Sequence, residues 1–169
     1  MKNLLSIVAF LICILNLNSA SAGYPDYLGG DRNLILCGGH MGVGAYLDKT
    51  SMVIQKDEPS VKIIAVNVAY VSDAHLGNTE IKNLATEIYM YQLDANKVYR
   101  YLEHNGSWGY IQPVGSSAAT GHYFAYEMAY YIAFNEKFYG GKKYWSDSDK
   151  KYMTPNFGSD LYSRVDYSF

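Results

Sequence analysis

Residues 61–72 read Val61-Lys62-Ile63-Ile64-Ala65-Val66-Asn67-Val68-Ala69-Tyr70-Val71-Ser72, and this stretch decides the fold. It is dense in β-branched residues, whose restricted side chains suit a pleated backbone better than a helix. Ile64, Val66, Val68 and Tyr70 alternate onto one face, and Ile63, Ala65, Ala69 and Val71 onto the other. A strand that is apolar on both faces belongs in the middle of a sheet, with something packed on each side.

The flanking segments supply its neighbours. Upstream, residues 33–37, 43–47 and 51–55 read as strands, with turns at Gly38 to Gly42, at Asp48-Lys49-Thr50, and at Lys56-Asp57-Glu58-Pro59-Ser60. Downstream, 73–79 is loop. Leu84-Ala85 could open a helix, but 85–93 suits a strand, because Asp94-Ala95-Asn96 follows as a turn and 97–102 alternates after it. His104-Asn105-Gly106 makes another turn, and 108–112 one more strand before Pro113. Helical spacing of Phe124, Met128, Tyr131 and Ile132 predicts one helix over 121–138, ended by Gly140-Gly141. The expectation is an α+β domain over 33–139, an antiparallel sheet of six or seven strands packed by one helix in its C-terminal half. Residues 23–32 are expected to form a flexible leader. Residues 140–169, polar with scattered aromatics, are expected to be an irregular tail packed on the domain.

The first 22 residues read as an export signal. Lys2 is followed by an apolar run from Leu4 to Leu17, and Ala20-Ser21-Ala22 is a small-x-small cleavage pattern. The run is too short to span a bilayer, so a secreted, periplasmic or cell-surface protein without a membrane span is expected. Removing 22 of the 169 residues leaves 147, enough for a single core. The chain has 14 Lys and Arg against 16 Asp and Glu, and only three of these are arginines, so nothing favours nucleic acid as a partner. Cys13 departs with the signal, which leaves Cys37 in an apolar run as a buried, inert thiol.

No nucleotide, hydrolase or metal-protease motif is present, and neither cofactor nor metal is expected. Gly38-Gly39-x-x-Gly42-x-Gly44 superficially suggests a phosphate cradle, but it lacks a following helix and reads as a tight hairpin. Glu87 is a carboxylate set among apolar neighbours. A small extracytoplasmic hydrolase would have to assemble its site in space from residues such as His40, His104 and Glu87.

The stronger expectation is a non-enzymatic binding or surface-interaction domain. Eighteen tyrosines support it, since a large ring with a polar tip suits interfaces and glycan or peptide contacts. Tyr123, Tyr126 and Tyr130 form a helical ridge opposite Phe124 and Met128, and Trp108 and Tyr110 can extend it. The ridge is either an exposed surface for a protein, a glycan or a second copy of the chain, or core covered by Trp145 or Tyr152.

The order Tyr46-Leu47-Asp48-Lys49-Thr50-Ser51, a long apolar strand over 61–71, paired strands ending near Tyr101, and Trp108-x-Tyr110-Ile111-x-Pro113-x-Gly115-Ser116 ahead of a helix resembles the small exported domains related to surface-adhesin protein E. The likeness spans 33–138. It implies an antiparallel sheet packed by a helix, no enzymatic activity, and adhesion to host proteins. The chain departs from the pattern in lacking paired cysteines and in carrying the tail, and no binding residue is carried over.

Overall fold

The computed structural model describes residues 23–113, 124–146, 150–155, 157 and 160–169. Six strands form one antiparallel sheet in chain order: β1 (Leu34–His40), β2 (Val43–Asp57), β3 (Val61–Ser72), β4 (Asn83–Gln92), β5 (Lys97–Leu102) and β6 (Ser107–Ile111). Each connection is short, so every strand lies beside its predecessor. Helix α1 (Ala125–Phe134) packs on one face. A two-stranded hairpin, β7 (Tyr144–Ser146) with β8 (Lys151–Met153), and helix α2 (Asp160–Asp166) complete the fold. This is the expected α+β architecture.

β3 holds the middle as its sequence requires. It pairs with β2 on one side and, over ten consecutive residues from Val61↔Gln92 to Tyr70↔Asn83, with β4 on the other. Ile64, Val66 and Val68 join the core beneath α1, together with Ile35, Leu47, Tyr89, Tyr91, Val98 and Ile111. Ala69 and Val71 point the other way, into a smaller cluster with Leu36, Tyr46, Leu28 and Ala74.

Several boundaries differ from expectation. The two strands predicted over 43–47 and 51–55 are the single strand β2. The turn chemistry at Asp48 operates, but inside a strand. Asp48 Oδ1 accepts hydrogen bonds from the Thr50 N–H at 2.9 Å and the Thr50 hydroxyl at 2.6 Å, and the ladder to β3 slips between Asp48 and Val53. The Ser51 hydroxyl accepts from the Asn67 N–H across that slip, which keeps β2 attached to β3. Helix α1 stops at Phe134, short of residue 138. Asn135 adopts a left-handed conformation there, and its N–H donates to the Tyr131 carbonyl.

Residues 23–32 are not a flexible leader. The Tyr24 hydroxyl accepts from the Gly42 N–H, Leu28 is buried, and the Tyr27 hydroxyl donates to the Arg164 carbonyl at 2.7 Å. The tail is likewise less irregular than expected, since it contains β7, β8 and α2. Phe157, Leu161 and Val165 lie in the main core.

The tail explains why α1 is buried all round from Ala125 to Tyr130. The sheet covers one side of the helix, and Phe138 and Tyr139 of the loop after it cover it further together with Phe157 and α2 of the tail. Glu127 falls inside that enclosure. Its carboxylate accepts from the Tyr162 hydroxyl at 2.8 Å and the Tyr139 N–H at 3.2 Å, and neighbouring backbone N–H groups at Phe138 and Gly140 add to it. Burial raises its pKa above the ordinary 4.5 despite these donors.

Two outcomes follow from this enclosure. Glu127→Ala should destabilise the domain by about 2–6 kcal/mol in urea denaturation, because it strands two buried donors at about 1–3 kcal/mol each. The raised pKa means that the folded chain holds a proton more readily than the unfolded one. The Glu127 contribution, taken as wild type minus Glu127→Gln, should therefore fall as pH rises from 4.5 through the raised value. Denaturation midpoints measured for both proteins across that range check the sign.

Candidate functional site

Cross-strand partners share a face of a sheet. Val98 pairs with Ile111 and both lie in the core beneath α1, so the pairs next to them turn outward. Those pairs are Tyr99↔Tyr110 and Tyr101↔Trp108, with ring centroids 5.6 and 5.4 Å apart. On β4, Met90 opposite Tyr99 extends the same face. The result is an aromatic strip that ends at Trp108, which is 37% exposed, while at its other end the Tyr110 side chain also reaches Tyr139 of the core.

At Tyr110 the strip runs into a cleft of about 300 Å³ between the β4–β5 turn and the β7–β8 hairpin. Ala95, Asn96, Lys97, Tyr110, Lys143, Tyr144, Trp145 and Tyr152 line it. Local rules place each group. Asn96 takes the left-handed turn position and its N–H closes the turn on the Leu93 carbonyl, which delivers Lys97 to the start of β5. Lys97 Nζ lies 5.5 Å from the Tyr110 ring centroid. In β7, alternation buries Tyr144 and turns Trp145 outward. Trp145 pairs with Tyr152, their rings 5.3 Å apart at 73°, and they stay 46% and 67% exposed.

The expected ridge fares differently from Trp108 and Tyr110. Tyr126 and Tyr130 are 0% and 4% exposed, which corrects the exposed-surface reading. Tyr126 packs on Tyr89, Tyr139 and Phe157, and Tyr130 packs on Tyr91, Phe134 and Phe138. The physical reason is the loop after α1 together with the tail. Phe138, Tyr139 and Phe157 enclose the helix, while Trp145 and Tyr152, the expected cover, remain outside. Tyr123 lies outside the described residues.

The residues considered for a hydrolase are not assembled. Glu87 is buried on β4, where Arg100 holds it through Nε and, at 2.8 Å, through Nη2, and the Tyr70 hydroxyl donates to it at 3.2 Å. His104 and Arg100 line a second cleft, of about 580 Å³, where the β4–β5 ladder ends at Tyr89↔Arg100. Among the described residues no hydrogen bond joins His104 to Glu87. His40 ends β1, four strands from β5, which at about 4.8 Å per strand is on the order of 19 Å away. No three His, Cys, Asp or Glu side chains come together as a metal site among the described residues.

The glycine motif has a structural role. Gly39 pairs with Gly44, and the Tyr24 ring lies across both, so a Cβ on Gly39 would fall 2.2 Å from that ring. The Cys37 thiol is fully buried and donates to the Ala45 carbonyl at 3.2 Å, and burial pushes its pKa up to about 12. No described helix is long and apolar enough to cross a membrane.

The sequence does not mark Lys97, Lys143, Trp145 or Tyr152 as lining a cleft: Lys97 reads only as the start of a strand, and residues 143–152 show no sustained period, so Trp145 and Tyr152 read as cover for the helix. The available signal was the inside-outside alternation of Tyr144-Trp145-Ser146. No family model matches the chain, and comparison with curated proteins and with solved structures found no match.

Burial of the ridge fixes the outcome of its substitution. Tyr126→Ser combined with Tyr130→Ser should abolish cooperative folding, since each large buried ring lost costs about 3–5 kcal/mol against a domain stability of about 5–15 kcal/mol. Thermal denaturation followed by near-ultraviolet circular dichroism checks this.

Proposed function

We propose that the chain is an exported, non-enzymatic binding domain whose aromatic cleft takes an acidic saccharide. The carrying observation is the composition of the cleft. Among the described residues, two lysines and an exposed Trp–Tyr pair line it and no carboxylate does, on a chain whose acidic residues outnumber its basic ones. A pyranose ring offers a C–H face that packs on an aromatic plane, and its hydroxyls bond to polar tips such as the Asn96 amide. A uronate carboxylate adds the negative charge that Lys97 and Lys143 complement. The outward strip from Tyr110 to Trp108 gives a longer saccharide further rings to rest on.

Export rests on the first 22 residues, with their basic start, apolar run and Ala20-Ser21-Ala22. The anchoring of Tyr24 on Gly39 and Gly44 supports it, because a chain cut after Ala22 would keep its second residue docked on the domain. An adhesive role of the kind implied by the resemblance to protein E-related domains fits this reading, with a saccharide in place of a host protein.

Titration calorimetry and tryptophan fluorescence with tetragalacturonate, cellotetraose and tetraglutamate test the proposal. Tetragalacturonate should bind and should weaken as salt screens the lysines. Trp145→Ala should weaken it by at least about tenfold, or 1.4 kcal/mol. Equal binding of cellotetraose would remove the role of charge, equal binding of tetraglutamate would favour a peptide ligand, and silence toward all three would defeat the reading.

A further inference from the structure

β3 is apolar on both faces, so the sheet calls for a packed layer on each side. Ile64, Val66 and Val68 find theirs beneath α1. On the opposite face, Ala69 and Val71 at one end of β3 join Tyr46, Leu28 and Ala74. Toward the other end that face carries Ile63 and Ala65, which belong to neither cluster.

The strand register carries this area sideways. Ile63 pairs with Met90 and Met90 with Tyr99, while Val53 pairs with Ala65 and Ala65 with Ile88. Cross-strand partners share a face, so these six side chains form two adjacent apolar rows over β2 to β5. Ile88, Met90 and Tyr99 also belong to neither cluster and are only half-buried, and Val53 is 56% exposed. Polar groups frame the rows. Asn67 and Thr86, hydrogen-bonded to each other at 2.8 Å, stand at one end, and Gln92 and Lys97 at the other. Lys56, paired with Glu58 at 3.0 Å, marks the β2 side. An apolar centre inside a polar margin is the anatomy of a protein interface.

We propose that this face packs against the same face of a second copy of the chain, the two sheets stacking as the layers of a sandwich. Four strands about 4.8 Å apart and four side-chain rows about 6.8 Å apart give a footprint of roughly 19 by 27 Å, or about 500 Å² on each copy. Two such faces bury about 1,000 Å², the lower limit for a specific contact, which fits a weak and reversible dimer. A second copy matches the footprint in width because it presents the same four strands. Stacked sheets lie about 10 Å apart, a gap that isoleucine, methionine and tyrosine side chains fill from both sides. Ile63, Ile88 and Met90 at the centre carry no charge, so identical faces meet there without repulsion, and the contact is isologous and closes on itself. An aliphatic centre also favours a protein layer over a saccharide, whose hydroxyls need polar partners. β6 lies outside the footprint and the cleft meets it only at Lys97, so the pairing does not rest on what the cleft binds.

Size-exclusion chromatography with light scattering on the purified chain, from low to high micromolar concentration, tests it. The wild type should move from monomer to dimer as concentration rises, and Ile88→Lys should remain monomeric throughout. Hydroxyl-radical footprinting of the wild type gives a readout that does not depend on the variant folding. Met90 and Tyr99 should lose most of their oxidation rate as the dimer forms, while Met41, 87% exposed on the β1–β2 turn, should keep its own. A wild type that stays monomeric at every concentration overturns the proposal. So does a folded Ile88→Lys protein as dimeric as wild type, or a dimer in which Met90 and Tyr99 react as fast as in the monomer.

Discussion

Glu127 is a buried carboxylate that pairs with no cation among the described residues, and α2 and the loop after α1 close around it. Taking such a group out of water costs several kcal/mol unless donors replace the lost hydration. Here the donors come from two separate parts of the chain, the backbone at Tyr139 and its neighbours and the hydroxyl of Tyr162 on α2. The helix cannot satisfy this side chain from its own residues. It needs the chain to turn back after Phe134 and needs α2 to dock. The Lys142 N–H then donates to the Tyr139 carbonyl, and Tyr144 follows directly into the core, so the position of the β7–β8 hairpin descends from the same anchor.

Tyrosine fills this protein on two different terms. Tyr46, Tyr89, Tyr91, Tyr126 and Tyr139 are fully buried and act as large apolar volumes. The Tyr91 hydroxyl is satisfied by the Tyr126 carbonyl at 2.6 Å, whereas those of Tyr46 and Tyr126 find no partner among the described residues. Edge-to-face packing between these rings and Phe138 and Phe157 supplies the cohesion of the core. At the opposite edge of the sheet, Tyr99, Tyr101 and Tyr152 keep part of their surface in water. Composition alone could not sort the two groups, because a tyrosine satisfies either environment.

What could be read from the sequence was whatever is decided locally. β3 announced its central place through apolar faces on both sides, and turns appear at Asp94 to Asn96 and at Asn105-Gly106 where their residues require, while the turn expected over Lys56 to Ser60 narrows to Glu58 to Ser60 because β2 runs on to Asp57. The misreadings share one cause, a remote partner. Asp48-Lys49-Thr50 has turn chemistry, yet Ser51 bonding to Asn67 keeps the strand on its neighbour. The Tyr126–Tyr130 side of α1 looked like an outer face only because its cover, Phe138, Tyr139 and Phe157, lies downstream and without period. Trp108 and Tyr110 were placed correctly on a strand, since alternation against Val98 and Ile111 needs no distant information. Their neighbours in the cleft, Trp145 and Tyr152, belong to a hairpin only three residues per strand, too short to show a pattern, and Lys143 directly precedes it.

The candidate site is therefore composite. Lys97 and Tyr110 come from the sheet, Lys143, Trp145 and Tyr152 from a hairpin that reaches them through the loop anchored on Glu127. Neither half forms the cleft alone. A ligand that bridges the two halves binds only the docked arrangement, so its binding free energy is added to the stability of docking, as mass action requires for any ligand selective for one state. Conversely, whatever loosens the tail reduces the fraction of molecules competent to bind, and weakens apparent affinity by that fraction. Stability at Glu127 and recognition at Trp145 are thus coupled through the chain between them. The buried carboxylate at that point fixes where an otherwise patternless tail lands.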